Sequence, residues 1–255
     1  HAFESNPDWG RLVVSESIVF AVAERESRAE GVEIGDEAVA VAAEAVLDFL
    51  REATESRGQS YATVWRGQGY ESLAAFRESV IEPLARESLR LERLILLHDR
   101  RQERREVSHI LVSDEATAAR IRQEIVGSPA TFEEMARRFS RHRDTRDNGG
   151  RIGLVPRDLF APDFAEPVFE LSIGATSAPF ETDSGWHLAR VTRILPARPD
   201  LTWAEAREEI EADLDARAAV PGKRVTSADA LRWISAIQRD GNYEISTTVP
   251  AASYR

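Results

Sequence analysis

Near Val107 the apolar residues of this chain change their spacing, and near Ile194 they change back, so no fold of a single texture accommodates the whole sequence. Before the first switch the pattern is helical. Residues 11–30 predict a helix ending near Gly31, and Asp36 is expected to cap a second whose apolar positions are Val39, Val46, Leu47 and Leu50. After Gly67 and Gly69 a long helical pattern runs from about Ser72 to Arg105 on a stripe of Leu73, Phe76, Val80, Leu84, Leu91, Leu94 and Ile95, with a kink expected at Pro83. The charge run Arg100 to Glu106 reads as the solvated end of that helix.

Between the switches, short strands alternate with short helices. Val107–Val112 and Ile152–Val155 read as strands, and Asp114–Val126 as a helix. Thr131 and Glu134 form a capping box for a further helix to about Ser140. The polar loop Arg141–Gly150 ends in a glycine pair, and an irregular loop at Pro156–Asp163 leads into a helical turn. Two strands, Thr176–Thr182 and Trp186–Ile194, are joined by the tight turn Asp183-Ser184-Gly185. Beyond Pro196 the texture is helical again: Thr202 and Glu205 make another capping box ahead of Ile210 and Leu214. Pro221-Gly222 breaks the chain, and a last helix carries Leu231, Trp233, Ile234 and Ile237 to Gly241, followed by an extended tail at Tyr243–Ile245. Apolar faces at both ends of the chain each need a partner, and the economical arrangement packs them on one another around an inserted middle module. The expected domains are 1–105, 106–195 and 196–255.

Composition narrows the chemistry. At 255 residues with 42% hydrophobic content the chain can bury a core without staples. It has no cysteine, which excludes thiolate nucleophiles, disulfide frameworks, zinc ribbons and iron–sulfur clusters. A net charge of −11 argues against a nucleic-acid partner. No apolar run reaches the roughly 20 residues that span a bilayer. The chain opens on His1 instead of Met, which leaves room for a signal peptide or lipid anchor removed upstream.

The histidines are His1, His98, His109, His142 and His187, three of them in the middle module. None forms a His-x-His or His-x-x-x-His pair, so no metal ligand set is expected. On residue type alone, a histidine within a strand is first a satisfied core residue.

The string Val107-Ser108-His109-Ile110-Leu111-Val112 resembles the first strand of parvulin-type peptidyl-prolyl cis–trans isomerases. Further matches follow in the family's order: Phe132 to Ser140, Asn148-Gly149-Gly150-Arg151-Ile152-Gly153, Pro162-Asp163-Phe164 with Phe169 and Leu171, and Pro179-Phe180-Glu181-Thr182-Asp183-Ser184-Gly185-Trp186-His187. Each piece is weak alone, but five in register make a specific signal. The flanks are similar, more loosely, to foldase chaperones of the SurA and PrsA type. The resemblance implies an α+β module with a four-stranded antiparallel sheet, inserted in an all-helical chaperone-like domain built from both chain ends.

The resemblance also assigns roles. His109 and His187 match the family's central hydrogen-bonded histidine pair, and Thr182 and Ser184 match polar members of the network around it. Ile152, Phe160, Phe164 and Trp186 match apolar surroundings of the substrate proline. His142 stands where the family usually carries aspartate or cysteine, and Arg151 replaces an acidic residue after the glycine pair. No basic cluster follows the first strand, where Ser113-Asp114-Glu115-Ala116 stands, which argues against recognition of phosphorylated Ser-Pro or Thr-Pro.

The expected function is a cofactor-free prolyl isomerase and folding chaperone acting on unfolded or extended proline-containing polypeptides, in an extracytoplasmic setting. The alternative is a holdase whose module binds extended peptide without isomerising it, and His142 is the residue that favours it.

Overall fold

A computed structural model describes residues 7–127, 131–218 and 227–239. In chain order the elements are α1 (Pro7–Glu30), α2 (Asp36–Glu55), α3 (Thr63–Arg66), α4 (Leu73–Phe76), a π-helical turn (Arg77–Ile81), α5 (Glu82–Arg101), β1 (Arg104–Val112), α6 (Glu115–Gly127), α7 (Phe132–Phe139) and α8 (Arg143–Arg146). They continue with β2 (Arg151–Pro156), a 3₁₀ turn (Arg157–Leu159), α9 (Pro162–Phe169), β3 (Phe180–Thr182), β4 (Gly185–Leu195), α10 (Trp203–Ala218) and α11 (Ser227–Arg239). The break at Pro221-Gly222, the helix end at Gly241 and the tail at Tyr243–Ile245 lie outside the described residues.

The chain divides into two compact units. One comprises residues up to 97 together with those from 202 onward, and the other is 98–201. In the first, α1 buries Val19, Ala23 and Ser27, and α2 buries Val39, Ala43 and Leu47, a spacing of four that lines up one helical face. The α2 stripe packs on Phe76, Ile81 and Ala85. Gly35, not Asp36, is the N-cap of α2; the Asp36 carboxylate instead meets Arg86 at 2.8 Å. In α11, Ala230, Trp233 and Ile234 are buried while Leu231 faces out.

Two expectations for the long central helix are corrected. Where a kink is expected at Pro83 the structure has a π-helical turn, which closes two residues before that proline. Proline has no N–H to give its own helical turn, and the wider turn absorbs that loss at the cost of one extra residue. Ile81 and Ala85 are buried there, as are Leu91, Leu94 and Ile95 further on, while Leu84, expected in the stripe, is 47% exposed. The charge run is not a solvated helix end either. The helix stops at Arg101, and β1 begins at Arg104, three residues earlier than the apolar pattern indicates. Arg100, Arg104 and Arg105 are all buried. Arg105 Nη1 donates to the carbonyls of Val168 (3.2 Å) and Leu171 (2.8 Å), at the open end of α9, and its guanidinium lies over the Phe169 ring at 4.9 Å.

The second unit is built on a four-stranded antiparallel sheet in the order β2-β1-β4-β3. Side chains alternate across it. On one face Ile110, Val112 and Leu188 pack with Ile121, Ile125, Phe132 and Met135 of α6 and α7. On the other, Val107, Ala189 and Val191 pack with Phe164, Val168 and Phe169 of α9. Both capping boxes are made: Thr131 and Glu134 exchange bonds of 3.0 and 3.1 Å, and Thr202 N donates to Glu205 at 3.0 Å. The expected strand from Thr176 is shorter, with only Phe180–Thr182 in the ladder and Thr176 making an isolated bridge to Arg190. The first and last residues of the sheet's central strands lie opposite one another, Arg104 against Leu195.

Candidate active site

The register of β1 and β4 brings the two strand histidines together. Ala189 lies opposite His109 and Leu111 opposite His187, so the imidazoles are diagonal neighbours on the α9 face. Their rings stack at 5.6 Å, 18° from parallel. Both residues are buried, at 5% and 4% exposure. No hydrogen bond joins them: each Nδ1 is buried without a hydrogen-bond partner among the described residues, and the Nε2 atoms point to opposite flanks. The resemblance implied a bonded pair; the geometry is a stacked one.

On one flank His187 Nε2 is bonded to Thr182 Oγ1 (2.9 Å), which also accepts the backbone N–H of Ser184 (3.2 Å). Ser184 thus acts through its backbone within the two-residue turn between β3 and β4. On the other flank His109 Nε2 is bonded to Thr145 Oγ1 at 3.0 Å, and the same oxygen bonds His142 Nδ1 at 3.0 Å. The His142 ring stands 4.7 Å from His109, edge to face. It is placed there by the backbone. Ser140 Oγ accepts from Leu111 N, and Arg141 N donates to Leu111 O at 2.8 Å, so residues 140–142 run alongside β1 before α8 begins.

Gly150 completes this side. Its carbonyl accepts His109 N–H at 2.8 Å, its φ is +80°, and a Cβ at this position would stand 2.3 Å from His109 O. Only glycine fits so close to the histidine's backbone.

Aromatic rings enclose the pair. Phe164 meets His187 at 5.2 Å and His109 at 5.9 Å, both edge to face. Phe160 lies 4.7 Å from Phe164, and Phe180 stacks on His187 at 5.4 Å. Ile152, Phe160 and Phe180 are only partly buried against this cluster, which leaves an apolar, partly open surface next to the imidazoles. Trp186 does not join them. It is the residue before His187 on a strand, hence on the opposite face, where it packs against the α6–α7 core.

Burial makes both imidazoles poor bases. It pushes His109 down to about 3, helped by the neighbouring charges of His142 and His187. It lowers His187 to about 4, opposed by the Asp163 carboxylate and aided by His142. Near neutral pH the pair carries no charge. Among the described residues no group of three His, Asp or Glu side chains is placed to hold a metal, and no helix is long and apolar enough to cross a membrane.

Of the residues expected from sequence, His109, His187, His142, Thr182, Ile152, Phe160 and Phe164 converge, Ser184 contributes its N–H, and Trp186 is elsewhere. Thr145 and Phe180 were missed as site residues. Thr145 follows His142 by three positions at the start of a helix, a spacing that brings side chains together. Phe180 is the cross-strand partner of His187.

A four-stranded antiparallel sheet carrying a buried histidine pair walled by phenylalanines agrees with the parvulin resemblance in fold and residue placement, though not in the bonding of the pair. Residues 96–193 match the family model of the rotamase, or PPIC-type PPIase, domain, and this domain belongs to that family. The chain is 32% identical over 107 residues to foldase protein PrsA 1 of Bacillus cereus, covering 42% of this chain and 36% of that protein. It is 36% identical over 118 residues to chaperone SurA of Xanthomonas axonopodis pv. citri, covering 43% and 25%. Over 98 residues it is 36% identical to a putative peptidyl-prolyl cis–trans isomerase SurA of Haemophilus influenzae, covering 35% and 31%. The chain thus spans 36% or less of the length of these relatives. Among solved structures, the peptidylprolyl isomerase PrsA of Bacillus anthracis is similar with a TM-score of 0.40 and 20% identity, over 92% of this chain and 99% of that one.

Proposed function

We propose that this chain is a peptidyl-prolyl cis–trans isomerase and folding chaperone acting on X-Pro bonds of unfolded or exported polypeptides. The observation that carries the reading is the uncharged, buried histidine pair under a partly open phenylalanine surface. Rotation about an X-Pro bond is held back by amide resonance worth about 18–20 kcal/mol, although its two isomers differ by about 1 kcal/mol. No covalent step is needed. At the top of the barrier the amide is twisted, its conjugation is lost, and the carbonyl carries less charge. An apolar surface that grips the proline ring through Ile152, Phe160 and Phe164 and strips water from the amide favours that state over the planar one. His109 and His187, both neutral, supply directional hydrogen bonding there without placing a charge beside the substrate.

The helical unit fits a chaperone role that holds extended chain for the isomerase unit, and the named foldase and chaperone relatives support an extracytoplasmic setting. The reading of residues 1–105 and 196–255 as chaperone-like and packed together, around an isomerase module at 106–195, belongs to the same proposal.

The test is the isomerisation of a proline-containing tetrapeptide. Acceleration by the intact protein, lost in His109→Ala/His187→Ala, is the expected result; equal acceleration by the double variant ends the assignment. A second reading has one residue in its favour: His142, where the family's aspartate or cysteine would stand. On that reading the protein suppresses aggregation of an unfolded client and leaves its proline-limited refolding phase unchanged.

A further inference from the structure

We propose that Thr145 is a positioning residue that transmits the protonation state of His142 to the tautomer of His109. The inference deepens the isomerase reading and rests on it for its catalytic consequence alone. Its physical basis is a count of hydrogens. Thr145 Oγ1 lies 3.0 Å from His109 Nε2 and 3.0 Å from His142 Nδ1, and a hydroxyl carries one hydrogen. It can donate to one of the two nitrogens; the other must then donate to it.

When His142 is neutral with Nδ1 bare, Thr145 donates to His142 and accepts from His109 Nε2–H. The Nδ1 of His109 is then a bare acceptor. When His142 takes up a proton from solvent at Nδ1, that N–H donates to Thr145. The hydroxyl hydrogen turns to His109 Nε2, which gives its proton up to solvent while Nδ1 takes one from solvent, so the ring keeps a single proton on the other nitrogen. One proton is gained in all, by His142, and His109 stays neutral. The burial that lowers the His109 value to about 3 keeps this ring at one proton throughout. The nitrogen that changes character, His109 Nδ1, is buried without a partner among the described residues. A site nitrogen thereby changes from acceptor to donor while the protein's fold stays as it is.

The charged and titratable groups around the relay are Arg141, Arg143, Asp144 and the Arg146–Asp147 pair on His142's own segment, His109 from β1 and His187 from β4. The surrounding elements add Glu133 from α7, which lies against Gly149, Arg151 from β2, which is paired with Glu106, and Asp163 from α9, whose charge acts on His187.

The test uses the intact protein with ¹⁵N-labelled histidine, followed through its ring-nitrogen resonances from about pH 8 to about pH 5, the range in which histidines ordinarily titrate. The expected result is an exchange of the Nδ1 and Nε2 shifts of His109 in step with the gain of a proton by His142. Thr145→Val abolishes the exchange, Thr145→Ser restores it, and His142→Gln leaves His109 in one tautomer at every pH. A His109 that keeps one tautomer while wild-type His142 gains a proton overturns the proposal, as does a His142 that gains none across this range, or an unchanged exchange in Thr145→Val. Should the valine variant not fold, the wild-type and His142→Gln titrations decide the matter. Tetrapeptide kinetics run alongside: absence of isomerisation in the wild type removes the isomerase reading and leaves the resonance test standing, whereas a pH profile flattened in Thr145→Val and recovered in Thr145→Ser ties the relay to activity.

Discussion

At the scale of single residues, the two buried imidazoles carry a pH signature. His109 and His187 titrate at about 3 and about 4 in the folded chain, below the ordinary value of 6.5. Above 6.5 both folded and unfolded chains hold them neutral, so their contribution is fully present. As the pH falls, the unfolded chain takes up protons first, and the stability is lost progressively until the folded-state values are reached. The melting temperature is therefore expected to drop from about pH 6.5 toward about pH 4, and His109→Gln to reduce that slope; thermal denaturation at a series of pH values measures both. Phe164 is buried against both histidines, and its truncation to alanine removes packing and the proposed proline wall together. A loss of about 3 kcal/mol in denaturant unfolding is expected. Where the variant still folds, a raised KM for tetrapeptide should accompany it.

At the scale of elements, α9 is held from outside itself. Arg105 reaches from β1 to the carbonyls of Val168 and Leu171, satisfying acceptors that a helix leaves open at its C-terminal end. Arg105→Met should cost about 1–3 kcal/mol and weaken peptide binding through Phe164, read as a KM effect larger than any change in kcat. Gly150→Ala should be worse for activity than its single methyl suggests, because the added carbon meets His109 O at 2.3 Å and either β1 or the glycine must move. Much of this was legible in the sequence. Capping boxes, the glycine pair and the alternation around His109 and His187 are local signals, and local physics wrote them. Trp186 resembles a pocket residue by its place in the motif, yet the two-residue period of the strand puts it and His187 on opposite faces. Thr145 was out of reach because its role depends on residues 140–142 running beside Leu111, a pairing between distant segments. Arg104 and Arg105 read as solvated from the sequence because charge is usually exposed; Arg105 is buried against carbonyls supplied more than sixty residues later.

At the scale of the molecule, the helical unit joins segments distant in sequence. Arg93, on α5, is 7% exposed and bonds Glu211 of α10 through two nitrogens, at 2.9 and 2.6 Å. Glu211→Gln leaves that guanidinium short of its counter-charge, and a destabilisation of about 2 kcal/mol is expected in chemical denaturation, with tetrapeptide isomerisation by the protein unaltered below the transition. The pairing of Arg104 with Leu195 has a different kind of consequence. The sheet brings the entrance and exit of its unit side by side, so to the helical host this guest is a short hairpin and not a long tether. Closing a floppy tether of that length would cost the host about 3 kcal/mol more in chain entropy than closing a few residues. The folded guest, with its two ends side by side, removes that cost from the host's closure. The interruption thus costs the interrupted unit little chain entropy: a folded insert is a shorter link than its residue count suggests.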